Sequence, residues 1–204
     1  MKYDKSFLKT LFAAGMMFLL LTACAKPYHF YVKYDLPESP ALMKDQRVTL
    51  QIRDARITQT FLSENAGKEF DLWDGTFAMY HSQEKPKGDM HTFDLTGLVE
   101  AAMQKRLESL GITVVKKTSD GVPLFELTLK TLQLDLKDRT WVSDVSYEVK
   151  LTRDNLKIGR EVVSGQAERT KVMGRGAGEF LLGDILTDSI NKLNIEKLFK
   201  NAGL

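Results

Sequence analysis

One stretch limits the fold more than any other: Leu124–Lys137, LFELTLKTLQLDLK. Phe125, Leu127 and Leu129 fall on odd positions, then Leu132, Leu134 and Leu136 on even ones. A strand sends successive side chains to opposite faces, so a one-residue slip moves every later side chain to the other side. A β-bulge is therefore predicted near Lys130-Thr131; it would restore one continuous apolar face and bend the strand. The next segment alternates at Val145, Tyr147, Val149 and Leu151, Arg153-Asp154-Asn155 turns the chain, and Arg160–Val172 returns. Three consecutive strands on short turns predict an antiparallel meander.

The flanking segments supply the other layer. Arg47–Arg53 alternates with Val48, Leu50 and Ile52 on one side, as in a half-buried strand. Residues 54–75 show no clear period; Phe70, Leu72 and Trp73 flank Asp71 and Asp74, and Asp74-Gly75 is a turn signal. Thr76–Ser82 is predicted as a strand and QEKPKGD, residues 83–89, as a polar loop. Phe93–Leu110 is predicted as a helix. Asp94 serves as N-cap, Lys105 and Arg106 lie near the C-terminal end, and Gly111 follows as a left-handed cap. Its apolar face is Leu95, Leu98, Val99, Ala102, Met103, Leu107 and Leu110. A strand follows at ITVVKK, and a last helix spans about Glu179 to Leu193, with a short turn at Ile195–Lys200. The expected class is α+β: a mostly antiparallel sheet with two helices packed on one face.

The amino end carries a different kind of signal. Lys2, Lys5 and Lys9 precede the uncharged run LFAAGMMFLLL, residues 11–21. That run is about half the ~20 residues a membrane-spanning helix needs, so it is expected to act as a secretory signal. It ends Leu21-Thr22-Ala23-Cys24, and Cys24 is the one cysteine of the chain. These four residues resemble the bacterial lipobox. The resemblance implies cleavage between Ala23 and Cys24, a diacylglyceryl thioether on Cys24 and acylation of the new amino terminus. Several acyl chains make a stable anchor where one does not. Ala25 follows the cysteine; by the same resemblance, the lack of aspartate there implies the outer membrane, periplasmic face. The expected organisation is residues 1–23 as lipoprotein signal peptide, 24–46 as lipidated cysteine and tether, and 47–204 as one α+β domain. In the tether segment, Tyr28, Phe30, Tyr31 and Tyr34 form an aromatic cluster with two open readings. They lie at the bilayer interface, or they pack on the domain, partly as a first strand.

Composition narrows the chemistry. Of 29 basic and 27 acidic residues, three basic and one acidic lie in the leader, so the mature chain is formally neutral and offers no footing for nucleic acid. With Cys24 lipidated no thiol remains for a disulfide or a cysteine metal site. His29, His81 and His91 show no helical ligand spacing. Asp89 and His91 could meet His81 across a hairpin, but the expected metal content is none. Gly174-Arg175-Gly176-Ala177-Gly178 precedes a helix, yet lacks the following Lys-Ser or Lys-Thr of a phosphate loop. It reads as a flexible connection, with Arg175 a minor candidate for an acidic partner. Asp71 and Asp74 read as turn residues rather than paired catalytic carboxylates. No G-x-S-x-G elbow occurs. No catalytic residue and no cofactor are expected, and the protein is not expected to be an enzyme.

The strand RVTLQIRD, the helix LVEAAMQKRLESLG followed by ITVV, the strand FELTLKTLQLDL and the ending GDILTDSINKLNIEKLF together resemble the YajG family of bacterial lipoproteins. The resemblance spans roughly residues 45–200, with 62–92 looking like an insertion. It implies a fold similar to the domain at the amino end of TolB, and it transfers one functional residue, Cys24. The expected function is a lipid-anchored, non-enzymatic accessory module of an outer-membrane assembly or transport complex, with a protein partner in the envelope. The alternative is a periplasmic carrier of a lipid or small amphiphile, with its ligand in a cleft opened by the bend at Lys130-Thr131.

Overall fold

The structure, a computed structural model, describes residues 28–37, 41–81, 90–116, 121–154, 156–172 and 176–204. In chain order the elements are β1 (Tyr28–Lys33), β2 (Arg47–Asp54), α1 (Glu64–Glu69), β3 (Trp73–Tyr80), β4 (Thr92–Phe93), α2 (Leu95–Ser109), β5 (Thr113–Val115), β6 (Leu124–Lys137), β7 (Thr140–Arg153), β8 (Leu156–Thr170), α3 (Gly176–Lys192) and α4 (Ile195–Asn201).

The bulge lies where the change of phase demands it. β6 pairs antiparallel with β7 up to Leu129↔Tyr147 and resumes at Thr131↔Ser146, which leaves Lys130 as the extra residue. Phe125, Leu127, Leu129, Leu132, Leu134 and Leu136 are all buried. β7 pairs antiparallel with β8, completing the meander. Asp138 and Asp154, with φ of 54° and 50°, turn the two hairpins; a short polar side chain tolerates this left-handed backbone better than most.

The class is α+β, but the sheet is mixed rather than mostly antiparallel. The five strands run in the order β5-β2-β6-β7-β8, and β2 is parallel to both β5 and β6. The reason lies in the connection. α2 carries the chain from one end of the sheet back to the other, so β5 must start where β2 started, as in any helical crossover. A second sheet, β1-β3-β4, stands apart, with β1 parallel to β3 and β4 antiparallel to it. α2 packs on β2 and β5, α3 packs on β7 and β8, and the two helices touch each other, so both cover one face. The Tyr147 hydroxyl donates to the Ser189 carbonyl at 2.8 Å and ties the sheet to α3.

α2 follows its sequence signals closely. The Asp94 carboxylate accepts from the Gly97 amide at 2.7 Å, and Gly111 takes a φ of +89°. Two expectations need correction. Part of the segment read as a tether, 24–46, is β1, with Phe30, Val32 and Tyr34 buried. Of the two readings of the aromatic cluster, packing on the domain holds for these residues, because burying each stabilises by about 1.5–3 kcal/mol. The segment read as an insertion, 62–92, supplies α1, β3 and the start of β4. Its Phe70, Trp73 and Phe77 rings interlock with Phe30, at centroid distances of 4.2, 5.5 and 5.9 Å. Ala66, Phe70 and Phe77 of this segment belong to the core.

The outer face of the meander is polar, as expected for a sheet covered on one side. There Glu148 receives Arg160 Nε at 3.0 Å and Lys150 Nζ at 3.1 Å. Hydrogen bonds from Arg160, then Lys150, hold its carboxyl down to about 2.

Two outcomes are expected. Inserting one alanine after Leu127 turns Leu124–Leu127 onto the other face relative to the rest of β6 and should cost upwards of about 3 kcal/mol in denaturant unfolding, whereas deleting Lys130, the extra residue, leaves Leu129 and Thr131 in step with Tyr147 and Ser146 and should cost much less. Glu148 has a lower pKa folded than unfolded. Its contribution is thus complete above its ordinary value of 4.5 and disappears as pH falls toward about 2. The native protein should therefore lose more stability across that window than Glu148→Gln, measured by thermal unfolding at stepped pH.

Candidate functional site

β1 is the element nearest the sequence-predicted anchor, and its surroundings define the site. One edge of β1 pairs with β3. The other edge pairs with no strand among the described residues and lies along α3. The Glu179 side chain accepts from the Tyr31 amide at 2.7 Å. The Thr187 hydroxyl oxygen accepts from the Asp35 amide at 3.2 Å, and Asn191 Nδ2 donates to the Asp35 carbonyl at 3.0 Å. Between them sits Gly183, where an added Cβ would fall 2.8 Å from the Lys33 carbonyl oxygen. Glu179, Gly183, Thr187 and Asn191 are spaced by four, which places them on one stripe of the helix. They meet every second residue of the strand: Tyr31, Lys33 and Asp35. Strand and helix therefore run side by side in the same direction.

At the start of β1 the Tyr28 amide donates to the Leu72 carbonyl at 2.9 Å. The Tyr28 ring lies 6.1 Å from Phe70, and Phe70 lies 5.5 Å from Trp141 at the start of β7. A Cβ on Gly178 would come 3.2 Å from the same Phe70 ring. Phe70 thus joins the starts of β1, β7 and α3. This accounts for the glycine-rich stretch: Gly176, Ala177 and Gly178 are the first turn of α3 rather than a flexible connection, and Ala177 and Gly178 are buried. Gly174 and Arg175 lie outside the described residues, as do Ala23, Cys24 and Asp89.

The remaining candidates hold structural positions. His29 Nδ1 lies 2.8 Å from Asp74 Oδ2 and 2.7 Å from Thr76 Oγ1. The Thr76 amide and hydroxyl donate to Asp74 at 2.9 and 2.6 Å, closing the turn the sequence predicted at Asp74-Gly75. Partial burial raises the Asp74 pKa, but the bonds from Thr76 and His29 outweigh it and hold the carboxyl below its usual range. His91 packs edge-on against Phe93 at 4.6 Å. Among the described residues no group of three His, Cys, Asp or Glu is placed to hold a metal ion.

His81 reaches a cleft of about 480 Å³ at the far end of β1 and β3, lined also by Tyr34, Asp35, Tyr80, Lys105 and Glu108. Burial, with Glu179 and Asp35 nearby, pushes the Tyr80 hydroxyl up despite Lys33. On the inner face beside the bend at Lys130, Leu129, Leu132 and Leu134 are buried. A groove of about 470 Å³ lies instead on the outer face, along Thr131, Gln133, Asp144 and Ser164.

Sequence reasoning missed the α3 stripe. A glycine inside a helical pattern, with Glu, Thr and Asn four apart around it, was the available signal.

No family model and no curated protein sequence matches the chain. The chain is similar in structure to a Xanthomonas campestris protein of the family DUF330, with a TM-score of 0.49 and 12% identity over 86% of this chain and 96% of that one. A candidate lipoprotein from Caulobacter crescentus gives 0.34 and 7% over 52% and 79%. A lipoprotein from Neisseria meningitidis gives 0.28 and 12% over 72% and 96%.

Gly183→Ala tests the seam. Alanine gains about 1 kcal/mol of helix propensity over glycine, but its Cβ would collide with backbone and force β1 away, at a typical cost of 1–3 kcal/mol. The expected net result is a lower melting temperature, read by circular dichroism, with a larger fall for Gly183→Val.

Proposed function

We propose that this chain is a lipid-anchored envelope lipoprotein, held by acyl chains on Cys24, that acts as a non-enzymatic accessory module of an outer-membrane assembly or transport complex. The observation that carries the reading is Leu21-Thr22-Ala23-Cys24 at the end of a short apolar run behind three lysines. Two features support it. No helix among the described residues is long and apolar enough to cross a membrane. The side chains that most invite a catalytic reading serve turns and packing, as His29, Asp74 and His91 do. Kinship with the YajG family belongs to the same proposal and rests on the residues quoted above. A carrier of a small amphiphile is the second reading; its ligand would occupy the cleft beside Tyr34, Tyr80 and Lys105.

Membrane sedimentation with metabolic fatty-acid labelling tests the anchor. The native protein should pellet and carry label; Cys24→Ala should lose the label and leave the membrane fraction. A native protein that stays soluble and unlabelled rejects the proposal. Crosslinking of the lipidated protein in intact cells separates the two readings. One defined envelope complex supports the accessory module, and recovery of lipid with abundant bystanders alone favours the carrier.

A further inference from the structure

We infer that the end of the domain where β1 begins, marked by Leu72, Val172 and the hairpin between β6 and β7, rests directly on the lipid surface that holds Cys24. This rests on the anchor proposed above and adds a face and an orientation to it.

The argument is one of reach. The described chain enters the domain at Tyr28, whose amide is bonded to the Leu72 carbonyl. Cys24 is four residues earlier. Fully extended, four residues span at most about 14 Å. The hydrocarbon core is ~30 Å thick and the whole bilayer ~40–45 Å, so the headgroup layer takes up about 5–7 Å of that reach. Less than about 9 Å remains, short of the ~10–12 Å width of one helix. Nothing the size of a protein element fits between Tyr28 and the lipid. Whatever surrounds Tyr28 on the surface must meet the headgroups.

What surrounds it suits that contact. Leu72, the residue bonded to Tyr28, is 46% exposed. The ion pair of Lys171 with Glu69 at 2.6 Å joins the end of β8 to α1 three residues before Leu72, and Val172, next in the chain, is 64% exposed. The Lys171 amide donates to the Arg139 carbonyl at 2.8 Å, which brings in the hairpin, where Lys137, Asp138 and Arg139 are exposed. Isolated exposed apolar residues are ordinary. Two of them at the entry point of a leash this short are placed to sink into the interfacial layer, with Lys137 and Arg139 level with the phosphates. β1 then leads away from the lipid. At ~3.3 Å per residue, Tyr34 lies about 20 Å along the strand from Tyr28, so the cleft beside Tyr34 and Tyr80 opens toward the periplasm.

The test uses full-length lipidated protein, in which the acylated Cys24 leaves no free thiol. Leu72→Cys, Val172→Cys and, at the cleft, Glu108→Cys are each labelled with a fluorophore. Each is reconstituted in phosphatidylethanolamine–phosphatidylglycerol vesicles containing a nitroxide-headgroup lipid. All three sites are exposed, and circular dichroism confirms folding before labelling. Quenching severalfold greater at positions 72 and 172 than at 108 is expected. Equal quenching at the three sites, or the reverse order, in protein that floats with the vesicles overturns the orientation while leaving the anchor intact. Protein that fails to float and carries no lipid overturns both.

Discussion

Among the described residues β1 has two edges and one strand to pair with, and the fold is arranged around that shortfall. An unpaired edge buried under a helix would leave backbone groups without partners, a cost of about 1–3 kcal/mol each. α3 meets the problem with side chains. Successive outward groups on one edge of a strand are ~6.6 Å apart and four helix residues rise ~6 Å, so stripe and edge stay nearly in step for three turns. The axes come closest at Gly183, where no side chain fits against Lys33. On either side the gap widens, and longer groups span it: Glu179 toward Tyr31, and Thr187 and Asn191 on the two polar groups of Asp35. A uniformly apolar helix would bury more surface here and leave the strand unsatisfied.

That seam in turn fixes the rest. Once α3 lies along β1, its opposite flank must cover β7 and β8, and the Tyr147–Ser189 hydrogen bond holds the two layers in register. Burial pushes the Tyr147 hydroxyl up, with Glu161 and Tyr34 adding to the shift, so it stays a donor across the ordinary pH range. At the end where the chain enters, aromatic rings do the joining. Phe70 contacts Tyr28, Phe30 and Trp141 within 6.1 Å, and such pairs contribute about 0.5–1.5 kcal/mol beyond the area they bury. The small sheet is thereby welded to the large one.

Much of this was legible in the residues, and the remainder was hidden for physical reasons. The bulge at Lys130 could be read because a phase change in an alternating strand has one economical solution. α2 could be read because cap, apolar face, dipole charges and terminal glycine agree. β1 could not. Its buried set is Phe30, Val32 and Tyr34, but the equally aromatic Tyr31 among them blurs the alternation, and aromatic residues close to an anchor also suit a bilayer interface. α1 is six residues long, shorter than any periodic signal can establish; its stability comes from Ala66 packing and the Ser63 cap rather than from local pattern. The parallel pairing of β2 depended on where α2 returns the chain, a long-range outcome that short turns do not announce. At the site, Cys24 lies outside the described residues and its role stays with the proposal above, whereas the α3 stripe was masked by looking like an ordinary amphipathic helix with one glycine in it.

The position of β1 also changes what the anchor means. A lipoprotein on a long flexible leash presents every face of its domain in turn, and a partner can approach from any side. Here the structural core begins at Phe30, six residues after the proposed lipid attachment, and the strand that carries it is pinned on both edges. Rotation about the leash can turn the domain around the membrane normal, while its reach of about 14 Å limits how far the domain can lift or tilt. With the anchor proposed above, so short a leash keeps the core close to the lipid. In the orientation inferred above, surfaces are sorted by height above the lipid, and the polar outer face of the meander becomes a side wall rather than a roof. If the module meets a membrane complex as proposed above, this removes orientational freedom before the partner arrives, and freedom already lost is a cost that association no longer bears.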